Sequence, residues 1–248
     1  MLHPSYSELM EAVNSRAEEG EQAVVQSRYS IVKATAERAK QIIDARYLEE
    51  KYDKITLKTG IEFGIQVHTT KAYEETFGQY PFDFVIFSCH QVENKEYWRQ
   101  EPQKGKTQLE YNRRYYQEIL DVVKAYKDYS ILGHLDVIKR YDLNGEIELE
   151  KIKDLIEQIF EVVIADGKGI ELNTSSRAYH LKSLMPSRKI LELYHDMGGK
   201  IITIGSDAHN VDRVGDRVME SQKILKEIGF NGIYTFDQMK PKFHEFKF

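Results

Sequence analysis

Aspartate and histidine stand two apart in the run Ile201-Ile202-Thr203-Ile204-Gly205-Ser206-Asp207-Ala208-His209-Asn210. A carboxylate oxygen and an imidazole nitrogen together make half of a transition-metal site. In extended backbone, alternation around Ala208 points Asp207 and His209 to the same side. The β-favouring residues before them read as a buried strand that delivers them to the rim of a sheet or barrel. That rim is where parallel α/β folds keep their chemistry. Taken alone, the stretch also reads, as the lesser alternative, as a loop with two polar residues.

The chain repeats the arrangement. Glu62 lies between Ile61 and Phe63 in an alternating run from Ile55 to Ile65. A carboxylate there is costly unless it is paired, bound to a cation or on a solvated edge. His90 closes the nearly continuous apolar run Phe82-Asp83-Phe84-Val85-Ile86-Phe87-Ser88-Cys89-His90. His134 and Asp136 close Tyr129-Ser130-Ile131-Leu132-Gly133-His134-Leu135-Asp136, and Asn173 comes near the end of Gly169-Ile170-Glu171-Leu172-Asn173-Thr174-Ser175. A lone histidine at a strand end is more often structural than a ligand. Histidines at successive strand ends, joined by carboxylates, reverse that expectation, because a barrel converges those ends on one rim. Imidazole with carboxylate suits zinc, manganese or iron rather than calcium. No glycine-rich phosphate loop follows a strand, and no serine lies in a nucleophile-elbow pattern. Hydrolysis by metal-activated hydroxide is the economical chemistry.

The elements that must position these residues follow from periodicity. Helical spacing predicts helices over Lys71–Phe77, Gln108–Tyr126, Leu149–Ala165, Ser187–Met197 and Val218–Ile228, the fourth closed by Gly198-Gly199. A last strand is predicted over Gly232–Phe236, and Glu93 to Gly105 reads as a polar loop. Strand and helix alternate from Ile55 onward, which predicts a parallel α/β architecture. Residues 1–54 read as a helical segment, so a single domain over 1–248 divides into that segment and a barrel portion over 55–248.

Composition bounds the partners. A formal charge of −5 and a pI near 6.0 argue against a nucleic-acid surface. The single cysteine, Cys89, excludes an intramolecular disulfide and suits a reducing cytoplasm. No apolar run is long enough to span a bilayer, and the polar N-terminus is not a signal peptide.

The series Gly-Ile-Glu, Ser-Cys-His, Gly-His-Leu-Asp, Glu-Leu-Asn-Thr-Ser and Gly-Ser-Asp-Ala-His resembles the PHP family, named for polymerase and histidinol phosphatase. Within it the chain is similar to the histidinol-phosphate phosphatases of histidine synthesis. The likeness runs from about Ile55 to Asp237, with the motifs in the family's order. It implies a distorted (β/α)7 TIM-like barrel with a trinuclear metal site at its C-terminal rim. It makes Glu62 the bridging carboxylate, with His90, His134, Asp207 and His209 as further metal ligands. Arg140 and Arg177 stand where the family holds the substrate phosphate, a task suited to the planar guanidinium fork; each also reads as an ordinary surface ion pair. Asp136 or His209 would protonate the leaving alkoxide, and Asp136 reads equally as a group that orients a neighbouring ligand. The implied substrate is a small-molecule phosphate ester.

The family's opening His-x-His strand, and the histidine of its second strand, have no recognisable counterpart. His3 is a weak candidate for the second His of the first motif, and His68 is isolated. The expectation is therefore a barrel lacking its first strands, with one or two divalent metals bound. Its open edge favours an oligomer or cover by the N-terminal helices. The alternative is a truncated or divergent, non-catalytic PHP scaffold that binds a ligand or partner.

Overall fold

The computed structural model describes residues 58–248. The helical reading of residues 1–54, the domain division there and His3 lie outside the described residues.

Five parallel strands form the central sheet in the order β1-β2-β5-β6-β7. They are β1 (Gly60–Gly64), β2 (Phe84–Ser88), β5 (Ile131–Leu132), β6 (Gly169–Asn173) and β7 (Ile202–Gly205). Two short strands, β3 (Gln91–Val92) and β4 (Lys95–Glu96), make a small antiparallel ribbon after β2. Register places Glu62 beside Ile86 and Glu171 beside Thr203. All strand C-termini therefore point to one end of the sheet, as the alternation of strand and helix predicts.

The helices are α1 (Thr70–Phe77), α2 (Gln108–Ala125), α3 (Lys153–Ala165), α4 (Arg188–Asp196) and α5 (Val218–Ile228). Helix α2 begins with a capping box, in which the Thr107 hydroxyl accepts from the Glu110 N–H at 3.3 Å and Glu110 accepts from the Thr107 N–H at 2.7 Å. Helix α5 stops at Gly229, whose φ of 124° a side chain rarely adopts.

Many of the described tyrosines are core residues. Tyr97, Tyr115, Tyr116, Tyr126, Tyr129 and Tyr194 are fully buried. Several give their hydroxyls to main-chain carbonyls, Tyr115 to Leu135 and Tyr194 to Ile201, each at 3.0 Å. The rings thus supply apolar area while each such hydroxyl pins a strand or its following loop.

The last strand differs from the expected parallel pattern. β8 (Gly232–Asp237) pairs antiparallel with β9 (Lys240–Glu245) in a hairpin beside β7. The turn is Gln238-Met239, with φ of 49° and 63°. Two positive-φ positions suit a primed turn, which sequences usually mark with Asn-Gly or Asp-Gly. Neither signal is present here, so no sequence pattern marks β9.

Candidate metal centre

β1 presents Glu62, and the loops leaving β2 and β5 present His90 and His134. Their donor atoms converge. Glu62 Oε1 lies 3.1 Å from His90 Nε2 and 3.0 Å from His134 Nε2, and the two imidazole nitrogens are 3.3 Å apart. Tetrahedral bonds of ~2.0–2.1 Å hold neighbouring ligand atoms roughly 3.3 Å apart, so the triangle fits a transition metal. Its chemistry fits as well. Two imidazole nitrogens facing each other need a proton or a cation between them, because their lone pairs otherwise repel.

The electrostatics agree. Withdrawal from water resists ionisation of Glu62, but hydrogen bonds from His134 and His90 outweigh it and hold its carboxyl well below the usual range. Burial opposes charge on His134, yet the Glu62 hydrogen bond and charge, with Glu171 adding to them, raise its pKa. The pocket attracts positive charge. A metal bound there would displace a proton.

Arg140 ends the 3-10 turn Val137–Arg140 that follows β5. Its guanidinium donates to Ser175 Oγ at 3.0 Å, lies 3.4 Å over the Tyr179 ring and sits 3.9 Å from Asp207 Oδ2. The side chain is only 9% exposed. Its Nε is buried with no hydrogen-bond partner. A buried guanidinium with an unspent donor is suited to an anion. Arg177 closes the 3-10 turn Thr174–Arg177 that follows β6 and is exposed, with no ion pair among the described residues.

The remaining expected residues are placed differently. β7 ends at Gly205, and Asp207 adopts a φ of 48°, so the extended-strand alternation with His209 does not apply. Asp207 faces Arg140 and lies outside the Glu62–His90–His134 group. His209 is exposed, with Nδ1 2.9 Å from the Asp207 carbonyl and 3.6 Å from its carboxylate. Asp136 is buried, and its Oδ2 accepts from Lys139 Nζ and from the Ser187 N–H, each at 2.8 Å. His68 is exposed and contacts Asn94.

Glu171 was not among the expected site residues. It is buried in β6, and its Oε2 accepts from the His134 N–H at 3.0 Å and from Asn173 Nδ2 at 3.2 Å. Burial pushes its carboxyl up. The signal that marked Glu62, a carboxylate inside an apolar strand, marks Glu171 equally.

Imidazole and carboxylate donors gathered over a parallel sheet, with a guanidinium at hand for an anion, belong to metal-dependent phosphatases as a class. The particular family follows from comparison. The PHP domain family profile matches residues 29–175. A histidinol-phosphatase of Lactococcus lactis is 30% identical over 205 residues, which cover 79% of this chain and 73% of that enzyme. The chain belongs to the PHP domain family. A crystal structure of histidinol phosphate phosphatase from Lactococcus lactis, complexed with zinc, L-histidinol and phosphate, matches with a TM-score of 0.68 and 26% identity. That match covers 82% of this chain and 77% of that one. A stretch of 44 residues, 18% of this chain, is also 73% identical to the DNA-directed RNA polymerase subunit omega of Lachnoclostridium phytofermentans, and it spans 54% of that subunit.

Proposed function

We propose that this chain is a metal-dependent phosphomonoester hydrolase of the histidinol-phosphatase type. The observation that carries the reading is the triangle of Glu62, His90 and His134 beside a buried arginine with an unpaired donor. The Lactococcus relatives support it. Glu62, His90 and His134 would hold one metal, and Asp207, outside that group on the β7 side, would contribute to a second. A bound divalent transition metal supplies Lewis acidity, lowering the pKa of water and offsetting phosphate charge.

The rest of the work falls to the chain's own residues. Arg140 orients the phosphate with its fork and spreads the charge that develops at phosphorus. Tyr179 and Ser175 keep that fork in place before substrate arrives. Arg177, on the adjoining turn, reaches a phosphate oxygen from the solvent side. His209, exposed at the rim, protonates the leaving alkoxide. Asp136, committed to Lys139 and Ser187, instead fixes the loop that carries Arg140.

The test is phosphate release from histidinol phosphate by purified protein with added manganese. Metal-dependent release is expected. A folded, metal-loaded protein that releases none sinks the reading.

A second reading is favoured by the omega-like stretch. The chain would then be a PHP scaffold attached to an RNA polymerase. Binding of the purified chain to purified polymerase lacking its omega subunit is the expected result, and no binding excludes it.

A further inference from the structure

The proposed metal ligand and the proposed phosphate arginine are joined by one buried chain of hydrogen bonds. It starts at the main-chain N–H of His134, which donates to Glu171 Oε2 at 3.0 Å. The same oxygen accepts from Asn173 Nδ2 at 3.2 Å. Asn173 Oδ1 accepts from the Ser175 N–H at 2.9 Å and from the Ser175 hydroxyl at 2.6 Å. The Ser175 oxygen in turn accepts from Arg140 Nη2 at 3.0 Å. Glu171, Asn173 and Ser175 are each at most 5% exposed.

The fold makes room for this chain. A Cβ at Gly205 would come within 2.0 Å of Glu171 Oε1, so a side chain at the end of β7 would displace the carboxylate from this position. A buried carboxylate is expensive and persists only where its hydrogen bonds repay that cost. Here the bonds run toward the site. Asn173 has its amide given to one link and its carbonyl to the next, which fixes its orientation. Ser175 must point its proton at Asn173, which leaves its lone pairs for Arg140.

On the reading of the site as a metal-dependent phosphatase, we propose that Glu171 is a positioning residue acting in two directions. It sets the main chain that aims the His134 imidazole, and through Asn173 and Ser175 it sets the guanidinium that receives phosphate. The metal pocket and the phosphate pocket are held in one register by a carboxylate that touches neither metal nor substrate. The action is by hydrogen bonding, so an amide oxygen at the same place serves nearly as well as the carboxylate.

Two affinities test this on the full chain: manganese alone, by competition with a chelator, and inorganic phosphate on the manganese-loaded protein, by calorimetry. Glu171→Met keeps the volume and removes the acceptors. It should weaken manganese about 10–100-fold, the usual cost of losing a group behind a ligand, and weaken phosphate as well. Glu171→Gln keeps an acceptor oxygen and should stay within about threefold of the parent in both affinities. Ser175→Ala should weaken phosphate about tenfold, the worth of a hydrogen bond to a charged group, and leave manganese unchanged. If Glu171→Met does not fold, Asn173→Ala carries the test and should behave as Ser175→Ala does. The proposal is overturned if Glu171→Met binds both ligands as the parent does, if Glu171→Gln is as damaged as Glu171→Met, or if Ser175→Ala or Asn173→Ala loses manganese or keeps phosphate. A parent chain that binds neither manganese nor phosphate overturns the phosphatase reading itself.

Discussion

Arg140 and Arg177 have the same side chain and opposite surroundings, and the difference predicts their behaviour. The Arg140 side chain is nearly enclosed, stacked on Tyr179 and bonded to Ser175, whereas Arg177 stands in solvent. Lysine in place of Arg140 loses the stack and the paired donors together. Arg140→Lys is expected to raise KM for a phosphate ester about tenfold or more, while metal content stays at the parent level. Arg177→Lys is expected to raise KM by a smaller factor, because an exposed cation is screened by solvent. Steady-state kinetics on the two variants check the order; equal effects would mean that burial does not set the strength of the phosphate contact. At this scale much could be read from sequence alone. Glu62, His90 and His134 each follow or interrupt an apolar run, and the structure gathers them. Glu171 carries the same mark, but its strand ends in Asn173, a more familiar polar residue for a rim. The placement of Asp207 could not be read, since its left-handed backbone depends on the turn after Gly205 and not on any pattern of residue types.

Among the elements, those with a strong period were the easiest to recognise. Val218–Ile228 has the bounds its spacing predicts, and Gln108–Tyr126 differs from α2 by one terminal residue. The β8–β9 hairpin was hidden because its turn carries Gln238-Met239. Its attachment to the sheet is specific: the Gln238 N–H donates to Asp83 Oδ1 at 3.0 Å, and Lys58 Nζ reaches Asp237 Oδ1 at 2.5 Å. Lys242 also bonds Asp237, and hydrogen bonds from Lys242 and Lys58 pull its pKa from 3.8 to about 2. A lowered folded-state pKa contributes stability above the unfolded value of about 3.9 and loses it as pH falls toward 2. The parent should therefore be more stable than Asp237→Asn at pH 5, with the gap closing between about pH 4 and pH 2. Urea denaturation across that range measures it. A gap that widens on acidification would mean that the ion pairs do not form in solution.

At the scale of the whole molecule, the described sheet is five parallel strands with Glu62 on an edge strand. The family resemblance places two further strands and their histidines ahead of that edge, and this chain shows no counterpart to their motif. The site is therefore expected to hold at most two metals. Turnover should be weak beside a member with the full set, since the loss of one stabilising charge at a reacting group costs roughly two to three orders of magnitude. The parallel fold and the rim were recoverable from sequence because near-continuous apolar strands demand helices on both faces. The stretch ahead of β1 offers helical spacing and no run that ends in histidine, so no strand is legible there in the sequence. The central claim is that Glu62, His90 and His134 hold the metal. It is tested most directly by metal content and manganese affinity in the parent chain and in Glu62→Ala, both shown to be folded. The account predicts one or two metals per parent chain and a loss of at least one in Glu62→Ala. A Glu62→Ala protein with its full metal complement, or three metals in the parent, would contradict it.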